Sequence, residues 1–164
     1  MNIVYSDQEP HFDNVSIFLA GPTYRDGDTV VAGSFWRKEA IQVLQDLNFD
    51  GIVFAPERSV GFRGDFHYDN QIDWEFDCLE NCTSRVFWVP RNEFHLKAMT
   101  TNVEFGRYMH YRNTLYGRPD DSHRNRYLDV MYGKFHDIKP YNSLKDLMSH
   151  SVQMAYELGG KINV

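Results

Sequence analysis

The chain is 164 residues long, 42% hydrophobic and 24% charged, with a formal net charge of −6. That length suits one domain spanning 1–164, able to bury a core without disulfides or metal. Its Lys and Arg form no basic stripe, so nucleic acid is not the expected partner, and no apolar run approaches the roughly 20 residues of a membrane span. The N-terminus lacks a basic segment followed by an apolar core, so the sequence predicts a soluble, cytoplasmic protein with a small neutral ligand. Cys78 and Cys82 stand four apart on a predicted helix, and two thiols make no structural zinc site, so packing is their expected role.

Taken in order, Asn2 to Tyr5 can form a short edge strand, and 7–13, with Pro10 and three acids, reads as loop. Val15 to Ala20, VSIFLA, is apolar almost throughout, the pattern of a strand covered on both faces, and Gly21-Pro22-Thr23 ends it. Ser34 can cap a helix whose Trp36, Ala40, Val43 or Leu44, and Leu47 share one face. Ile52 to Ala55 is a second strand between Gly51 and Pro56, with Glu57 just beyond its C-terminal end. The long loop that follows carries Gly61, Gly64, Phe62, Phe66 and Tyr68, which predicts a packed lid. Asn70 introduces an amphipathic helix with Ile72, Phe76 and Leu79 on one face and Asp73, Asp77 and Glu80 on another.

Arg85 to Pro90, RVFWVP, reads as a buried strand, and Thr101 with Glu104 three residues later reads as a helix start. Thr114 to Tyr116 predicts a further strand ending at Gly117, and the charged run from Arg118 to Arg126, with Pro119, a surface loop. Ser143 can cap a last helix carrying Leu144, Leu147, Met148 and Ala155 at helical spacing, with Gly159-Gly160 as its stop. Strand alternating with helix predicts an α/β, flavodoxin-like open parallel sheet of four to five strands with helices on both faces. In such sheets ligands bind beyond the carboxyl ends of the strands, where strand order reverses. Gly21-Pro22-Thr23, Glu57, the 91–103 loop and Glu104 converge there.

No G-x-G-x-x-G, Walker, H-E-x-x-H or G-x-S-x-G pattern occurs, and the seven histidines are scattered. Neither a metal nor a cofactor is therefore expected. Carboxylates around a cleft remain, the equipment of glycosyl transfer, in which one carboxylate attacks the anomeric carbon and another acid manages the leaving group. A glutamate in the first turn of a helix is held ionised by the macrodipole and free N–H groups, which would make Glu104 a nucleophile. The competing reading is that Thr101 and Glu104 form only a capping box. Likewise Asp73 and Glu75 can be a solvated acidic face, and Trp36 and Trp74 core residues. Asn102 can satisfy backbone at a helix start, and Glu57 can pair with Arg58 or Arg63.

FLAGPT at Phe18 to Thr23, WR with Ala40 following Trp36 and Arg37, QIDWE at Gln71 to Glu75, FWVPR at Phe87 to Arg91, TTNVEFG at Thr100 to Gly106, YGRPDD at Tyr116 to Asp121 and RYLD at Arg126 to Asp129 run in an order and spacing that resembles the nucleoside 2-deoxyribosyltransferase family, in its "like" branch. The resemblance extends from about Val15 to Leu158. It implies transfer of 2-deoxyribose between nucleobases through a covalent sugar–enzyme ester, with 2′-deoxynucleosides and free bases as ligands. Glu104 takes the place of the nucleophile, and Glu75, with Asp73 as its nearest substitute, that of the acid that helps handle the base. The resemblance and the cleft together make Gly21, Pro22, Thr23, Glu57, Trp74, Asn102 and Gly106 the candidate substrate contacts. Asn102 stands where the family has an acid holding the sugar hydroxyls. A homo-oligomer with sites near subunit contacts is also implied, with Asp129 or Tyr132 as candidates for the residue a neighbour supplies. Two rivals remain: an N-glycosidase giving the sugar to water, with Arg25, Arg58 and Arg63 available to a 5′-phosphate, and a silent nucleotide sensor.

Overall fold

The computed structural model describes residues 1–25, 27–65 and 67–159. Five strands, β1 (Asn2–Tyr5), β2 (Ser16–Ala20), β3 (Ile52–Ala55), β4 (Ser84–Trp88) and β5 (Thr114–Gly117), form one sheet in the order β1-β3-β2-β4-β5. Every pairing is parallel, with Ile17 opposite Val53 and Leu19 opposite Val86. The helices are α1 (Trp36–Asp46), α2 (Tyr68–Asn81), α3 (Met99–Tyr108), α4 (Arg126–His136) and α5 (Leu144–Gly159). The core order β3-β2-β4-β5 is the flavodoxin arrangement, with β1 added at the outer edge, and its reversal falls between β2 and β4.

The period-2 geometry of a strand divides the core in two. Phe18, Ala20, Phe54, Phe87 and Tyr116 point to one face and pack under Trp74, Cys78, Phe105 and Tyr132 of α2, α3 and α4. Ile17, Leu19, Val53, Val86 and Leu115 point to the other, against Trp36, Ala40 and Leu44 of α1 and Leu147, Met148 and Ala155 of α5. Both cysteines are buried in the first cluster, with their thiols pushed well above the ordinary range by desolvation. Gly51 lets β2 and β3 approach closely, since a Cβ there would stand 2.3 Å from the Val15 carbonyl oxygen.

Several boundaries differ from expectation, each for a local reason. Helix α3 starts at Met99 behind Ala98, which takes the left-handed conformation at φ 57°, and Thr101 is buried within the helix. Glu104 therefore sits in the middle of α3, neither in its first turn nor in a capping box. Phe35, not Ser34, precedes α1, and the Ser34 hydroxyl accepts from the Val31 N–H instead. Helix α2 begins two residues before Asn70, so Tyr68 belongs to it. Ser143 does cap α5, accepting from the Asp146 N–H at 3.2 Å, whereas Gly160 lies outside the described residues. In the 58–67 loop Phe62 is half-buried and Val60 fully exposed, and Phe66 is outside the described residues. Asp7 ties that loop down, accepting from both the N–H and the hydroxyl of Ser59.

Candidate active site

Gly21 ends β2 where nothing larger fits, because a Cβ would meet the Trp88 carbonyl oxygen at 2.2 Å and the Trp36 ring at 2.6 Å. The tight turn brings Pro22 over Trp36, whose indole N–H donates to the Pro22 carbonyl at 2.9 Å. Trp36 is thus a core residue. Arg37 follows it on α1, only 3% exposed. Its guanidinium donates to the carbonyls of Leu19 at 3.0 Å and Gly21 at 2.6 Å, to the Thr23 hydroxyl at 2.8 Å and to Glu57 at 2.9 Å. Glu57 is held in turn from the β1 side, where the Ser6 N–H and hydroxyl donate to its carbonyl at 2.9 and 3.1 Å.

Across the mouth of the sheet lie two half-buried carboxyls, Glu75 on α2 and Glu104 on α3. They hydrogen-bond each other, and the Gln71 amide donates to Glu75 at 2.7 Å. Burial first, and then the neighbouring Glu75 carboxylate, push the Glu104 carboxyl up to about 7, with Arg37 opposing. Glu75 is also raised by burial, against the pull of Gln71 and Arg37. Two carboxyls this close do not ionise together, so the pair retains a shared proton toward neutrality. Glu104 is held by its neighbours rather than by a helix dipole, and its affinity for a proton is increased where the sequence argument lowered it.

Asp73 is exposed, two residues from Glu75 and therefore on another side of α2, and does not join the pair. Asn102 and Gly106 line a different groove of about 320 Å³ between α3 and α4, with Phe105, Met109, Leu128 and Met131. Asn102 accepts there from the Arg91 guanidinium, so neither it nor Gly106 belongs to the carboxyl cluster. Trp74 is 7% exposed, packed on Phe18 and Phe54, with its indole N–H donating to the Gln8 carbonyl at 2.9 Å. One edge of it still lines a cavity of about 520 Å³, bounded also by Asp7, Arg58, His67, Asn70 and Gln71, which neither carboxyl of the pair lines and which meets the pair through Gln71. Tyr132 is fully buried and has no surface to offer a neighbouring subunit. Asp129 accepts from Arg118 at 2.7 Å and from the Tyr116 hydroxyl at 2.9 Å.

The structure thus gathers Gly21, Pro22, Thr23, Glu57, Glu75 and Glu104 around one residue whose role the sequence argument did not identify, Arg37. Its signal was present: positions 37, 40 and 44 share a helix face, and an arginine on the face that Ala40 and Leu44 bury calls for a dedicated set of acceptors. Gln71 carries a weaker signal, its spacing four residues before Glu75. Among the described residues no group of three or more His, Cys, Asp or Glu is placed to hold a metal ion, and no helix is long and apolar enough to cross a membrane.

Among known proteins, no curated one is matched by this chain. A family model described as "Nucleoside 2-deoxyribosyltransferase like" matches residues 14–121, a span that takes in β2 through β5 and every carboxylate of the cluster. Membership supports glycosyl transfer or N-glycosidic cleavage as the class of chemistry, and a cleft of carboxyls at the carboxyl ends of a flavodoxin-like sheet suits it. The chain belongs to the nucleoside 2-deoxyribosyltransferase like family.

Proposed function

We propose that the chain transfers 2-deoxyribose between nucleobases by double displacement, with Glu104 as nucleophile and Glu75 as the proton carrier. The observation that carries this reading is the pairing of the Glu75 and Glu104 carboxyls at one site, where burial raises the proton affinity of both. A pair with one proton and one negative charge contains both reagents the first step needs. The proton that rests on Glu104 first passes across the pair to Glu75; the Glu104 carboxylate then forms an ester bond to C1′ as the bond from C1′ to the base nitrogen breaks, and the proton now on Glu75 goes to the departing base. A second base then attacks C1′, the ester breaks, and its surplus proton returns to the pair. Retaining glycosidases keep their two carboxyls roughly 5–5.5 Å apart, so the sugar must part this pair as it enters. Glu57, one-third exposed and fixed by Arg37, offers its carboxylate to a ligand hydroxyl or base N–H, and the cavity beside Gln71 and Trp74 receives the base.

Substrates are 2′-deoxynucleosides and free bases, in the cytoplasm, and the working unit is a homo-oligomer. Exposed Met99, Val103 and Tyr127, flanking the groove between α3 and α4, support such association. The test is incubation with a 2′-deoxynucleoside with and without a second base, followed by chromatography. A new deoxynucleoside formed only with the acceptor supports transfer. Release of free base and deoxyribose without exchange would replace it with N-glycosidase action, and Arg58 on the cavity wall makes 5′-monophosphates the next substrates to try. Binding without turnover would leave a nucleotide sensor.

A further inference from the structure

Gln71 stands at the junction between the carboxyl pair and the cavity of about 520 Å³, since its amide donates to Glu75 at 2.7 Å while the residue lines the cavity that neither carboxyl reaches. Its place follows from spacing: Trp74 and Glu75 come three and four residues after it on α2, on the same side of that helix. The other half-buried polar residues on the cavity wall are Ser6 and Asp7, and both are engaged. Ser6 donates its hydroxyl to the Glu57 carbonyl, and Asp7 accepts from the N–H and the hydroxyl of Ser59. Trp74 has committed its indole N–H to the Gln8 carbonyl and offers the cavity only an apolar edge. The Gln71 amide makes one hydrogen bond among the described residues, the one to Glu75, so its carbonyl oxygen and second N–H remain for a ligand. We propose that Gln71 is the specificity-determining residue of this site: it reads the polar edge of a nucleobase in the cavity with those two groups, and orients Glu75 with its first N–H. The proposal rests on the reading that the base occupies this cavity and that the pair performs the chemistry.

A primary amide presents a donor beside an acceptor, and its complement is an edge with an acceptor beside a donor. Adenine carries such an edge in its amino group and the adjacent ring nitrogen, and hypoxanthine in its ring N–H and the adjacent carbonyl. A flat ring without that edge fills the same space but leaves the amide unpaired once water is displaced, which costs affinity. The amide is not free to turn over. A Glu75 carboxylate only accepts, so the N–H end faces the pair, and that bond favours the ionised form of Glu75. Base and acid are thus held by one planar group. Its loss costs both the selective part of base affinity and the position of the acid, whereas a residue that only packed would affect every base alike.

The experiment is calorimetric titration of adenine, hypoxanthine and benzimidazole into the full chain with no nucleoside present, alongside steady-state exchange with the same three acceptors. Benzimidazole keeps the flat fused rings and the imidazole nitrogens but lacks the polar edge. Gln71→Met, close in length and a good helix former, should bind adenine and hypoxanthine about tenfold more weakly and benzimidazole as the native chain does. In exchange, KM should rise for adenine and hypoxanthine alone, while kcat falls for all three because Glu75 loses its orienting bond. Gln71→Ala should repeat the selective loss, so the result does not depend on how methionine packs. Equal losses for the three ligands, no loss for any, or a native chain that binds none of them would overturn the proposal. Because the titration needs no turnover, an edge-selective loss in a chain without exchange would sustain Gln71 as the reader while refuting the transferase. Exchange that persists in both variants with base preference unchanged would refute Gln71 alone.

Discussion

Replacing Glu104 by Gln should make the protein more stable while removing its activity. A carboxyl whose affinity for its proton lies near 7 instead of the ordinary 4.5 costs about 3 kcal/mol when it ionises in place. The sign follows from proton counting. Between about 4.5 and 7 the folded chain binds a proton that the unfolded chain has released, so stability is fully present below that window and declines as pH rises through it. Glutamine has the shape of the protonated acid and an N–H to donate to Glu75, without the ionisation. The variant should match the native protein at pH 4.5 and exceed it at pH 8, by roughly 6–12 °C in Tm at this chain length. Thermal melts followed by circular dichroism at the two pH values, with base exchange measured on the same samples, make the assay. A variant that melts at or below the native temperature at pH 8 would refute the reasoning, because a carboxylate ionised at no energetic cost is not sharing a proton in a buried pair.

Four further outcomes follow from the same geometry. The rate of base exchange against pH should be bell-shaped, falling about tenfold per pH unit above the upper midpoint near 7, and a rate still rising at pH 9 would remove the shared proton from the mechanism. Glu75→Gln should lower kcat by about 10²–10⁴ whereas Asp73→Asn, on the exposed side of α2, should leave it unchanged, a contrast that steady-state kinetics on the two variants settles. Gly21→Ala should destabilise by about 1–3 kcal/mol in urea unfolding, since the new methyl collides with the Trp88 carbonyl and the Trp36 ring. Val103→Glu, in the exposed apolar surface beside the α3–α4 groove, should convert an oligomer to monomer in sedimentation, and a native chain that already sediments as a monomer would refute the assembly.

The strands and their parallel order were legible because burial on both faces leaves a run such as VSIFLA or RVFWVP no alternative environment. Helix α4 was not, although Leu128 and Tyr132 stand four apart and are both buried. The surrounding Arg126, Tyr127, Asp129 and Lys134 mask that short apolar stripe, and no Ser, Thr or Asp caps the start, where Asn125 instead spends its amide on the Val89 carbonyl and the Ser122 hydroxyl. The start of α3 misled for the opposite reason. A sequence of threonine, two residues and glutamate carries a strong capping signal, but Ala98 turns the chain with a left-handed conformation earlier, and Thr101 is buried in the helix. Glu57 and Glu104 were found by their positions after strands. Arg37 and Gln71 were marked only by helix spacing, the first with Ala40 and Leu44 and the second with Glu75, and that spacing gives a shared face without saying which acceptors the face meets.

That difference changes where the reactivity of Glu104 is expected to come from. A glutamate at a helix N-terminus would be permanently ionised, a ready nucleophile beside no proton donor, and a departing nucleobase needs a proton as much as the sugar needs an attacking oxygen. A glutamate in mid-helix, pressed against a second carboxyl in a partly dry cleft, holds a proton and a negative charge between two groups at the pH where the cell works. The arrangement is unstable by itself, since burial favours two protons and no charge. Arg37, fixed by the carbonyls that β2 leaves at its end, opposes burial at both carboxyls. The turn of FLAGPT and the arginine of the WR pair are in this view one device: the first presents the carbonyl acceptors for the second, and the second ties that turn to Glu57 after β3.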